Sequence, residues 1–364
     1  MSSYKWDIKD NELPLTIADM DFSVMPEITK SIESVAKVSA YGYRYVPKAY
    51  FSAYVNHFTK RYGARFNEED CLFSTGIVGS TDSILKRICK KGDGVVMLTP
   101  IYNVFFNCIK NNGLELVDTP FKYENYKYEI DWELFEKNAK KAKVLIFCNP
   151  HNPIGKIFNE EEIKRIINIC EKHSVYVLSD EIHADFDYNE KKYVPASKVS
   201  DYSKLISLFS PGKTFNLAGL HSSIVVVKEK ELREKIQNGL YEDDIGEPDY
   251  FAIEPVMTAY NKGEQYIQEL NEYLKNNRDL VRNSLEKPLV MVENEATYLL
   301  WIDVSKICSG EEFCKELRKE TGLVLLPGKN YGDDRFVRMN ISTSKKILMD
   351  ALKRLNSFVR EKNS

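Results

Sequence analysis

The stretch SLFSPGKTFNLAGL, residues 207–220, places a lysine, Lys213, just beyond an apolar run. Three chemistries fit its neighbours. Gly212-Lys213-Thr214 has the form of the end of a nucleotide-binding P-loop. Ser210 and Lys213 have the Ser-x-x-Lys spacing of a serine acyl enzyme. A lysine leaving an apolar strand can also hold an aldehyde cofactor as a Schiff base. A P-loop needs glycine five residues before Gly212, and that position is Ser207. The apolar run also leaves no room for a phosphate-wrapping turn. An acyl enzyme of that class carries Ser-Asp-Asn and Lys-Thr-Gly as well, and neither occurs. The Schiff-base reading therefore stands beside the plainer one, a surface lysine following a strand.

The run that precedes Lys213 is one of five. GVVMLTP (94–100), KVLIFCNP (143–150), SVYVLSD (174–180), KLISLFS (204–210) and SSIVVVK (222–228) are short, rich in Val, Ile and Leu, and apolar nearly throughout. That composition predicts strands buried on both faces of a mainly parallel sheet. Amphipathic segments lie between them. In NEEEIKRIINICEKH (159–173), Asn159 and Glu162 form a capping-box pair, and Ile163, Ile166, Ile167 and Cys170 share a face. Strands alternating with helices predict a doubly wound α/β domain, expected over residues 45–285. Beyond a long helical stretch, the pattern turns to strand, helix, strand, strand and helix. Residues 286–364, with the irregular segment 1–44, are expected to form a smaller α+β domain. Several apolar runs end in polar groups: Asn152, Asp180, Lys213 and Tyr102 all follow strand ends. In open α/β sheets ligands bind outside the carboxyl ends of the strands, so these groups converge on one pocket.

Composition narrows the function classes. The 364 residues are 43% hydrophobic and 29% charged, with a formal net charge of −3, which supplies no basic field for nucleic acid or an anionic membrane. The seven cysteines are odd in number and contain no C-x-x-C, so neither a disulfide framework nor a zinc knuckle is expected. Scattered thiols fit a reducing cytoplasm. The five histidines show no metal-ligand spacing, no apolar run approaches a membrane span, and no signal region is expected.

CNPHNPIG (148–155), LSDEIHADF (178–186), SPGKTFNLAGL (210–220) and FVRMNIS (336–342) occur in this order and resemble the class I/II aminotransferase family, pyridoxal 5′-phosphate (PLP) enzymes of fold type I. LPLTIADMDFSVMP (13–26), YGYRY (41–45), TPIYNVF (99–105) and ATYLLWIDV (296–304) resemble its cystathionine β-lyase, or C–S lyase, branch. The resemblance spans nearly the whole chain. It implies a seven-stranded sheet, PLP as cofactor, a small amino-acid substrate, and a homodimer.

It also implies roles. Lys213 matches the Schiff-base lysine and Cα base, and Asp180 the carboxylate at the pyridine nitrogen. Asn152 matches the partner of the phenolic oxygen, with His183 near the same oxygen or a structural histidine. Tyr102 matches the aromatic cover of the ring, or else a core aromatic. Gly76, Ile77 and Val78 match the phosphate cup, with Ser210 as a hydroxyl donor. Tyr43 matches a tyrosine reaching the second subunit's phosphate, with Tyr41 and Tyr45 as competing neighbours. Arg338 matches the substrate-carboxylate clamp, with Arg335 as a nearby competitor. The sequence departs from the wider family at His221, where many aminotransferases carry a phosphate-binding arginine, and at Gly212, Thr16 and Ile17. The implied activity is β-elimination from cystathionine or a related cysteine S-conjugate. Transamination shares its early steps and stays open, as does a regulatory protein with little turnover.

Overall fold

The computed structural model of the chain describes residues 3–363. Seven strands form its main sheet: β1 (Cys71–Ser74), β2 (Gly94–Thr99), β3 (Glu115–Pro120), β4 (Ala142–Cys148), β5 (Tyr176–Asp180), β6 (Leu205–Phe209) and β7 (Ser223–Val226). Their order is β1-β7-β6-β5-β4-β2-β3. β7 runs antiparallel to both neighbours, and every other pairing is parallel. The sheet is thus mainly parallel, as the apolar runs imply, with one reversed strand.

Both faces are buried, which explains runs without alternation. Val95, Met97, Val144 and Ile146 enter one apolar cluster, whereas Val96, Leu98, Leu145 and Phe147 enter another on the opposite face. β1 and β3 escape the apolar-run reading. β1 has four residues, and β3 is an edge strand whose Glu115, Leu116, Asp118 and Pro120 are exposed. The helix Glu160–Lys172 starts at the expected box: the Glu162 amide donates to Asn159 Oδ1, and the Asn159 amide donates to Glu162 Oε2, each at 2.9 Å. Its four named apolar residues are buried.

A second, antiparallel sheet holds β8 (Val290–Met291), β9 (Leu299–Asp303), β10 (Leu326–Pro327) and β11 (Phe336–Asn340), in the order β8-β9-β11-β10. The run LVLLPG (323–328), the second strand of the strand-helix-strand-strand-helix pattern, divides at buried Leu325. Leu323–Val324 pairs in parallel with Leu13–Pro14, and Leu326–Pro327 joins the second sheet. The N-terminal 44 residues divide their contacts as well. Leu13, Leu15 and Met20 pack with the second sheet's core, while Met25 and Ile28 pack with Tyr50 and Phe58 against the main sheet. The helix Glu264–Ser284 links the two cores, with Ile267 in one and Leu270, Leu274 and Val281 in the other. Among the described residues no helix is long and apolar enough to cross a membrane.

Candidate active site

A cavity of about 340 Å³ opens at the carboxyl ends of the parallel strands. Gly76, Ile77, Val78, Tyr102, Asn152, Asp180, His183, Ser210 and Lys213 line it, so nine residues singled out by sequence meet there. Each arrives by a short route. β2 leads into Tyr102, β4 into Asn152, β5 ends at Asp180, and β6 leads into Ser210 and Lys213. β1 leads into Gly76 and the helix Ile77–Ile88.

Lys213 is half-buried, and its Nζ donates to the Ala18 carbonyl at 2.7 Å. Burial pulls its pKa below the ordinary lysine value. Asp19 and Asp180 push back, and Arg338 adds to the fall. Asp180 shows the converse. Burial raises its carboxyl pKa to about 6, against hydrogen bonds from the Ile182 amide (3.2 Å to Oδ1) and the Cys148 thiol (3.8 Å to Oδ2). His183 is buried, with its pKa lowered to about 3 by desolvation, Lys213 and Arg338, so the ring is neutral. Its Nδ1 has no hydrogen-bond partner among the described residues.

Arg338 lies on β11 of the second sheet and is 3% exposed. It touches the cavity wall through Asn152, whose Oδ1 accepts from Nη1 at 3.2 Å. Its Nη2 donates to the Thr16 carbonyl at 3.0 Å, and its guanidinium lies 4.7 Å from the Tyr331 ring centroid. Nε has no partner. Burial lowers its pKa, and Tyr331, Tyr102 and Tyr298 oppose that shift. Arg335 is the exposed one of the pair, forked onto Asp333 at 2.9 and 2.6 Å, so the buried arginine is Arg338.

At the other end of the cavity, the helix Ile77–Ile88 presents its N-terminus without any side-chain cap. Unpaired amides and the helix dipole make such an end an anion site. Thr75, Gly79, His221 and Ser222 stand in the same lining. Ser210 Oγ donates to the Ser222 carbonyl at 2.8 Å and accepts from the Gly212 amide at 3.1 Å. Its hydroxyl proton therefore braces the loop. His221 is exposed, with a left-handed φ of 46°. Tyr43 does not line the cavity and stands fully in solvent. No metal-holding cluster occurs among the described residues.

Ala18, Thr75, Gly79, Ile182, Ala218 and Ser222 also line it and were not singled out from sequence. Ala18, Gly79 and Ile182 offer backbone or an apolar surface, which carry no residue-type signal. The chemistry of the lining suits an aromatic aldehyde with a basic ring nitrogen and a phosphate. It holds an amine of lowered pKa, a buried carboxylate, a buried imidazole nitrogen lacking a partner, and an anion-binding helix end.

Known proteins share this sequence and fold over nearly their whole length. The chain is 32% identical to cystathionine β-lyase PatB of Bacillus subtilis (strain 168), over 98% of this chain and 96% of the relative. A PLP-bound C–S lyase from Staphylococcus hominis superposes with a TM-score of 0.91 at 28% identity, covering 98% of this chain and 93% of that one. A PLP-bound protein from Clostridium difficile 630, provisionally named an aminotransferase, superposes with a TM-score of 0.93 at 31% identity, covering 96% and 92%. The family model for aminotransferase class I and II matches residues 10–355, and the chain belongs to that family.

Proposed function

We propose that this protein is a PLP-dependent C–S β-lyase. It would cleave cystathionine or a related cysteine S-conjugate to a thiol, pyruvate and ammonia. The observation that carries the reading is the meeting of Lys213, Asp180 and the Arg338–Asn152 pair around one cavity. The full-length similarity to a cystathionine β-lyase selects the branch.

PLP supplies an electron sink for the negative charge that develops at the substrate Cα. The chain's residues would do the rest. Lys213, with its pKa lowered, would hold the cofactor aldehyde through Nζ and, once the substrate amine has displaced it, would take the Cα proton as a free amine. Asp180, ionised above pH about 6, holds a proton on the ring nitrogen. Arg338 has engaged Asn152 Oδ1, which leaves the amide NH₂ of Asn152 and the neutral ring of His183 for the phenolic oxygen. The helix end at Gly76, Ile77 and Val78 takes the phosphate through main-chain amides. The guanidinium of Arg338 receives the substrate carboxylate as a fork, and Tyr102 covers the ring.

The assay mixes purified protein, PLP and L-cystathionine without any keto acid. Pyruvate and a new free thiol are expected in equal amounts. Amino transfer that depends on a keto acid, with no pyruvate formed, would identify an aminotransferase instead.

We assign a homodimer as the working form. Tyr43, with exposed Tyr41 and Tyr45 beside it, lies clear of its own cavity, as a side chain serving a second subunit must. An active monomer in analytical ultracentrifugation would refute this. We also assign the cytoplasm, where the seven unpaired cysteines would stay reduced.

A further inference from the structure

The residue after Lys213 turns away from the cavity. Thr214 is buried, and its Oγ1 donates to Asp185 Oδ2 at 2.8 Å. The other carboxylate oxygen, Oδ1, accepts from the Tyr62 hydroxyl and from His57 Nε2, each at 2.8 Å, and lies 3.9 Å from Arg61 Nε. The Asp185 carbonyl accepts from Asn271 Nδ2 at 2.6 Å. One aspartate thus ties together the helix Lys48–Tyr62, the segment after β5, the helix Glu264–Ser284 and the Lys213 loop. None of these partners lines the cavity.

Burial alone would favour the neutral acid, yet the Asp185 pKa is lowered, because His57, Tyr62 and Arg61 outweigh desolvation. The anion is therefore a fixed acceptor for Thr214. The loop has other ties, but they lie to either side. Ser210 bonds to the Ser222 carbonyl, and the Asn216 amide bonds with the backbone of Met20 and Phe22. Thr214 supplies the tie immediately beside Lys213 on the inner face.

We propose that Asp185 is a positioning residue: through Thr214 it pins the main chain at Lys213, so that Nζ is delivered to the cavity in one orientation. The proposal rests on the reading of Lys213 as the cofactor lysine. What is pinned is the capture step, in which Nζ attacks the aldehyde carbon, a C=N bond forms and water leaves.

The test follows PLP binding to the apoprotein by visible absorbance in stopped flow, alongside steady-state pyruvate formation. Thr214→Val keeps the volume and removes the donor. Capture and kcat should both fall by ~10-fold or more, in keeping with the rate sensitivity to small misplacements of a reacting group. KM should stay within about 3-fold, because the Arg338 clamp is untouched. Thr214→Ser restores the hydroxyl and should return capture and kcat to near the wild-type values. Asp185→Asn, which keeps the shape and loses the charge, should slow capture in the same direction and covers the case of a Thr214→Val chain that fails to fold. Wild-type capture in Thr214→Val, or in Asp185→Asn where that variant stands in for it, overturns the proposal. So does a Thr214→Ser variant as impaired as Thr214→Val, since packing of the methyl would then be the cause. A Lys213→Ala control separates the two layers: if it still forms a borohydride-reducible adduct, the reading of Lys213 itself fails.

Discussion

Asp180 sets a pH limit that can be read from its surroundings. Its carboxyl pKa in the protein is about 6, raised by burial from the ordinary 3.8. Above that pH the anion would face the ring nitrogen in the arrangement proposed for Asp180. Below it the group is neutral and its pull on the cofactor is lost. PLP affinity measured by equilibrium dialysis should therefore weaken as pH falls below 6, approaching ~10-fold per unit from this group. The cofactor phosphate also titrates near pH 6, so the comparison is with Asp180→Asn. That variant should bind more weakly at pH 8 and lose the Asp180 part of the pH dependence. An unchanged profile would remove Asp180 from the ring nitrogen. At this scale the sequence was informative where chemistry demands a residue type. The meeting of Lys213, Asp180, Asn152 and Arg338 around one cavity was legible because few residue types suit the chemistry proposed for them. The anchoring of Thr214 was not, since its partner Asp185 is held in turn by His57, 128 residues from Asp185, and each reads alone as an ordinary polar side chain.

Elements carry their own constraints, and the turn after β4 is the sharpest. Gly155 has φ 66°, and its carbonyl accepts from the amides of Glu295 and Ala296 at 2.8 and 3.0 Å. A Cβ there would run into the side-chain amide of Asn294 and press on the Ala296 carbonyl at 3.0 Å. Glycine thus satisfies both the left-handed backbone and the close approach of the chain entering the second sheet. Gly155→Ala should lose about 1–3 kcal/mol, seen as a lowered melting temperature and urea midpoint. A wild-type melt would show that the turn relaxes freely. The five continuous apolar runs declared five strands because both faces of each are covered. β3 was silent because it lies at the edge with charges facing water. The split at Leu325 was silent because a buried pivot between two short strands has the same apolar composition as one longer strand.

The whole molecule places the two halves of the proposed substrate site on different sheets. Lys213 follows β6 of the main sheet, and Arg338 sits on β11 of the second. Arg338→Lys keeps the charge and loses the fork, a loss of charge-assisted hydrogen bonding worth about 1.5–3 kcal/mol. KM for cystathionine should rise by ~10–100-fold with a smaller change in kcat, while PLP absorbance is retained. Loss of PLP with KM unchanged would move Arg338 from the substrate to the cofactor. The doubly wound architecture was legible in the chain's alternation of strands and helices. The closing of the site by its N-terminal segment was not, because pairing between Leu13–Pro14 and Leu323–Val324 leaves no local pattern.

That pairing bears on how the protein is made. Ala18, which accepts from Lys213, is synthesised some three hundred residues before Leu323–Val324, Arg338 and Asn340, which hold its segment through Leu13–Pro14, Thr16, Ile17 and Asp19. A chain halted before residue 323 can lay down the main sheet and the contacts of Asn216 with Met20 and Phe22, but it lacks the strand pairing at Leu13–Pro14. The wall at Ala18 is therefore fully held only once β11 has been made, and a fragment ending short of β11 would carry the lysine without that part of its enclosure.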